Sequence, residues 1–104
     1  MNNATDEVAL KEKATREGIA RRQADEDLVW LMNDQRGRRF LWRQMSQSHV
    51  FIPVFNPDAM VMAWNEGRRN EGLQLLTQIN RLCPELYPVM AAENAIQPDE
   101  DNHQ

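Results

Sequence analysis

Two prolines, Pro53 and Pro57, stand four residues apart in the apolar run HVFIPVFNP, and no continuous helix can cross that stretch. Both flanking segments read as helix, so the chain must change direction here. Val50, Phe51, Ile52, Val54 and Phe55 could make a short extended segment, and a loop this apolar has to pack against something.

Before the break, Asp6 to Asn33 is rich in Ala, Glu, Lys, Arg and Gln, with no proline and one glycine, Gly18, so helix is favoured. Its halves differ. Val8, Leu10, Ala14 and Ile19 make a thin apolar stripe, whereas Leu28, Val29, Trp30, Leu31 and Met32 form a block too apolar to leave in water. This reads as a flexible or helical arm, residues 1–20, joined to a packed helix over roughly 22–33. A break near Ala24 would place Asp25, Glu26 and Asp27 at the start of that helix, where its dipole favours them. A second helix starts after Asp34, a good N-cap, and runs to about Ser48 with Phe40, Leu41, Gln44 and Met45 turned inward.

After the break, Asp58 is the expected N-cap of the longest helix, Ala59 to about Leu82. Val61, Trp64, Arg68, Gly72, Leu75, Ile79 and Leu82 follow three- and four-residue steps and define its inward stripe. Gly67 and Gly72 each cost about 1 kcal/mol against Ala in a helix interior, which close approach of another helix would offset. Pro84 suits the first turn of a last short helix, Glu85 to about Asn94, if Pro88 stays within its opening turn.

The expected fold is therefore all-α: a small bundle of three to four helices over residues 21–95, with an apolar proline-containing loop. The acidic tail, 96–104, is expected to be disordered. Leu28, Leu31, Phe40, Leu41, Trp64, Leu75 and Ile79 are expected to converge in one core. About 80 residues are left to fold, near the size where a lone core is marginal, so support from a partner is expected.

Charge is unevenly distributed behind a net value of -4. Residues 1–34 hold five basic and eight acidic groups, 35–90 seven and four, and 91–104 none and four. The basic middle concentrates in Arg36, Arg38, Arg39 and Arg43, interleaved with Phe40 and Trp42. Such a face suits phosphate or carboxylate recognition, since guanidinium binds both bidentately. Nearby Asp27 and Asp34 and the acidic ends weigh against DNA and towards a protein interface. Arg68, central on an apolar stripe, is expected to be partly buried and paired with Asp27 or Asp34.

Catalytic signals are missing. His49 and His103 have no Cys or second His at metal-ligand spacing, and His49 at a helix end suits a dipole partner. Cys83, the single cysteine, reads as a small buried apolar residue. With no phosphate loop and no nucleophile elbow, the expectation is a non-enzymatic protein without cofactor or metal. No apolar run approaches a membrane span, and residues 1–20 lack the basic start and apolar stretch of a signal peptide, so a cytoplasmic protein is expected.

The run RRQADEDLVWLMNDQRGRRFLWRQ, followed by AWNEGRRNEGLQLLTQI and CPELYPVM, resembles a family of short tailed-bacteriophage and prophage proteins. One such protein is encoded in a Bordetella podophage, among the genes for DNA packaging and the capsid. The resemblance covers about residues 21–91 and implies a virion-associated or head-morphogenesis protein held by capsid or portal contacts. It implies a bacterial host cytoplasm during infection, or the virion itself, as the location, and leaves a homo-oligomer open. It carries over no catalytic residue. The rival reading is an accessory factor touching phage DNA through the arginine face, and a host-directed inhibitor is a third class that the gene setting disfavours.

Overall fold

The first helix is longer than its apolar pattern suggests. In the computed structural model, which describes residues 3–95, α1 runs unbroken over Asn3–Met32, so the break expected near Ala24 is absent. Thirty residues of mostly strong helix formers, with no proline, leave the hydrogen-bond ladder nothing to interrupt it. Residues 3–17 are all exposed, so the arm is helical and projects from the body.

A two-residue turn, Asn33 and Asp34, leads into α2 (Gln35–Gln47). Asp34 caps α2 as expected, its carboxylate accepting the Arg36 N–H at 2.7 Å. So tight a turn forces α2 across the end of α1, and Gly37 is the crossing point. A Cβ there would overlap the Leu31 carbonyl of α1. That crossing sets the rotation of α2, burying Gly37, Leu41 and Met45 at steps of four. Phe40 and Gln44, expected to face inward, are exposed instead.

His49 ends α2 in the left-handed region at φ 61°, without the glycine usual there. The His49 N–H donates to the Ser46 carbonyl and the Val50 N–H to the Met45 carbonyl, both at 3.2 Å, which satisfies the helix end and drives Val50 onto the core. The following run is turns and irregular chain, with no strand among the described residues. Val50 and Val54 are buried, while Phe51, Ile52 and Phe55 stay exposed.

Asp58 caps α3 (Ala59–Leu82) by accepting the Met60 and Val61 N–H groups. Its last turn hands over to a 3-10 turn, Pro84–Leu86, and α4, Tyr87–Glu93, with Pro88 inside the opening turn. The core comprises Met32, Leu41, Met45, Val50, Ile79, Cys83 and Met90, with Leu28, Leu31, Leu75 and Leu86 packed around it. Leu28, Leu31, Leu41, Leu75 and Ile79 converge there as expected. Trp64 does not: it is 69% exposed. Its part of α3 overhangs the body, so a stripe continuous in sequence is buried only where another element lies against it.

Asp25 of α1 pairs with Arg81 near the end of α3, while Leu28 and Leu31 lie with Leu75 along one trough. The two helices therefore pass in opposite directions, and their N-terminal ends overhang opposite ends of the body. The resulting rod measures 75 × 39 × 17 Å with a radius of gyration of 19.6 Å. A compact chain of this length would have about 13 Å.

Gly37 and Gly72 separate two kinds of close approach. At Gly72 a Cβ would meet the Val50 and Ser48 side chains, which can yield; at Gly37 it meets backbone. Gly37→Ala is expected to cost upward of about 2 kcal/mol and Gly72→Ala about 1 kcal/mol. Urea unfolding of both variants checks the order, and a Gly37→Ala protein as stable as the parent would refute the crossing.

Candidate interaction surface

Four arginines open α2, and the helix sends them to different places. Arg36, Arg39 and Arg43 step along the outer face at spacings of three and four and are exposed. Arg36 has only a loose contact at 3.7 Å with its own cap, Asp34. The Arg43 guanidinium lies 5.7 Å from the Phe40 ring centroid, a cation-π arrangement that holds both side chains outward. Arg39 and Arg43 have no ion-pair partner within 4.0 Å among the described residues.

Arg38 points the other way. Its side chain is 11% exposed and forks onto Glu93 of α4, Nε to Oε1 at 2.7 Å and Nη2 to Oε2 at 2.8 Å. Nη1 donates to the Met32 carbonyl at the end of α1, at 2.7 Å. Arg38 thus joins three helices. The Glu93 carboxyl is held below its ordinary range, first by the Arg38 hydrogen bonds and further by the Arg38 and Arg39 charges. Asp34 is lowered too, chiefly by the Arg36 backbone N–H. Trp42, one turn beyond Arg38, stacks on Phe51 with centroids 4.7 Å apart and pins the proline loop to α2.

The buried ion pair expected of Arg68 with Asp27 or Asp34 is not formed. Arg68 is exposed and donates to the Gln47 carbonyl at 2.7 Å, beside the end of α2. Asp34 is occupied as a cap, and Asp27 lines the α1–α3 trough. Arg68 sits where α3 is leaving the body, so nothing desolvates it. The half-buried pair of the fold is Arg38 with Glu93. Sequence spacing puts Arg38 on a different face of α2 from Arg36, Arg39 and Arg43, but Glu93 lies 55 residues away with no local cue.

Apolar surface remains uncovered at several places among the described residues, Trp30 of α1 (70% exposed) included, and two of them flank α3. The first turns of α3 and the loop before them present Phe55, Met60 and Trp64, exposed by 80, 83 and 69%. Between α1 and α3 runs an open trough of about 950 Å³ with Leu28, Leu31, Leu41 and Leu75 along it and Arg21, Arg22, Asp25, Asp27 and Arg81 around it.

Among the described residues no group of three or more His, Cys, Asp or Glu is placed to hold a metal, and no helix is long and apolar enough to cross a membrane. Cys83 is buried, and that burial pushes its thiol up, away from the thiolate a nucleophile needs. A profile of the Bbp19-like phage protein family matches residues 28–92, from the packed end of α1 to the penultimate residue of α4. The chain belongs to this family. No curated protein and no solved structure matches it. The matched span takes in the core, the arginine face and the overhanging start of α3. It stops one residue short of Glu93 and leaves out the whole α1 arm.

Because Glu93 titrates lower folded than unfolded, its contribution is complete above the ordinary glutamate range and is lost as pH falls through its folded value. Glu93→Gln is expected to melt several degrees lower at pH 7 and to show a shallower loss of stability on acidification, keeping the share due to Asp34. Melting curves from pH 7 to 3 check this. Parallel profiles for variant and parent would show that the pair contributes nothing.

Proposed function

We propose that this phage protein is a non-enzymatic virion-associated or head-morphogenesis protein that acts through protein contacts, with capsid or portal proteins as its partners. The observation that carries the reading is the uncovered apolar end of α3, where Phe55, Met60 and Trp64 stand in solvent on a chain with a small core. Aromatic and methionine side chains are what protein interfaces concentrate at their centres. Membership of a phage family supplies the setting, and the resemblance to the protein encoded beside capsid and packaging genes in a Bordetella podophage supports the choice of the head. The host cytoplasm during infection, and then the virion, are the places where such a protein works.

A second reading, DNA contact, is favoured by one observation: Arg39 and Arg43 carry no partnered carboxylate within 4.0 Å among the described residues. Arg38 cannot join them, being held by Glu93 and the Met32 carbonyl. Three arginines on one face, on a chain of net charge -4, make a small phosphate footprint.

Quantitative mass spectrometry of purified virions is expected to find the protein at a fixed copy number relative to the capsid protein, and its absence would overturn the virion reading. A salt titration of duplex binding tests the alternative. Duplex affinity weaker than about 10 μM near 150 mM salt is expected, unchanged in the Arg39→Ala, Arg43→Ala double variant. Tighter binding that the double variant abolishes would promote the DNA reading.

A further inference from the structure

The two uncovered apolar surfaces that flank α3 have opposite shapes, one a trough and one a projecting helix end. We propose that they are the halves of a single interface between two copies of this chain. The first turns of α3 in each copy lie in the α1–α3 trough of the other, forming a reciprocal dimer.

Spacing on α3 allows both contacts at once. Leu75 on the trough and Trp64 on the projection are eleven residues apart on one helix, about 16 Å. A two-fold axis beside α3 near Asn70 therefore brings each Trp64 to the other copy's Leu75, and Met60 to the neighbourhood of Gln78. Such pairing is isologous and closes on itself. Gly67 lies close to that axis, and a Cβ there would meet nothing of its own chain within 4 Å. A glycine in mid-helix with no intrachain neighbour is accounted for by the approach of a second helix.

Charge and area agree. Residues 55–67 carry Asp58 and Glu66 and no cation. The trough offers Arg21 and Arg22, which have no ion pair within 4.0 Å among the described residues; Arg81 is already paired with Asp25, and Asp27 is the remaining acid. With the axis near Asn70, Asp58 comes level with Arg81 of the other copy, beside Arg21 and Arg22, so an acid at the tip of the projection meets two available cations. Phe55, Met60 and Trp64 together offer roughly 500 Å² of apolar surface. A one-way contact of that size falls short of the ~800 Å² per partner of a standard interface. Reciprocity enlarges it, since each copy buries its trough as well as its projection, and this is why the occupant is a second copy.

Sedimentation equilibrium of the full chain over about 1–200 μM is expected to show a monomer–dimer equilibrium. Trp64→Glu changes a side chain exposed in the monomer, so helix content by circular dichroism should hold while association weakens at least about tenfold. Ala24→Trp fills the trough from an exposed position and should weaken self-association likewise. A parent that stays monomeric throughout, or a Trp64→Glu or Ala24→Trp protein that dimerises as before, would each overturn the proposal. None of these outcomes depends on whether the protein is found in the virion.

Discussion

Arg38 is the constraint on which the rest of the structure depends. Its guanidinium spends three N–H groups on Glu93 and on the Met32 carbonyl, so one side chain ties the end of α1, the start of α2 and the end of α4 together. The Met32 carbonyl is one of those that every helix end leaves without an intrahelical donor. A bidentate guanidinium–carboxylate pair is directional in a way that methionine packing is not. Three of the four largest fully buried side chains are methionines, Met32, Met45 and Met90, which fill irregular space without specifying how helices are oriented. The polar junction supplies the orientation that this soft core lacks.

From that junction follows the shape of the molecule. Once α1 and α2 are locked across Gly37, the core is confined to the place where their ends meet the second half of α3 and the α4 segment. Everything beyond it overhangs. The overhang of α1 is mainly polar and can stand in water as a helix of good formers. The overhang of α3 is aromatic and methionine-rich, and for that end water is a poor environment. Packing accounts for this exposure: the small core has no room to take in the apolar start of α3, which is why the proposed contacts are placed there.

Helix ends were legible in the sequence because they are written in local chemistry. Asp34 and Asp58 mark the starts of α2 and α3 as caps, and Pro53, Pro57 and Pro84 mark where helix cannot continue. Helix faces were less so. Trp64 and Arg68 share a stripe with Ile79, yet only the second half of that stripe has anything packed on it, and periodicity says nothing of where a neighbouring helix stops. Phe40 was misplaced for a related reason, since the rotation of α2 is set by backbone contact at Gly37, which carries no hydrophobic signal. His49 conceals its role too: a left-handed helix end is readable when glycine occupies it and not when histidine does.

The arginine cluster shows how far residue type can go towards function. Arg36, Arg38, Arg39 and Arg43 are equivalent in composition and close in sequence, and each could have been a surface cation. What separates them is geometry that only the folded chain defines, namely whether a carboxylate and a helix-end carbonyl come within reach. They do for Arg38, which becomes part of the scaffold and is lost to any partner. They do not for Arg39 and Arg43, whose nearest aromatic, Phe40, is held outward beside them. The face left to a partner is thus a ridge of arginines around an exposed ring. An anionic polymer would use only its charge, while a protein carrying carboxylates beside apolar side chains would use both the charge and the ring. That asymmetry, more than the number of arginines, is the ground for proposing a protein rather than DNA as the partner of this surface.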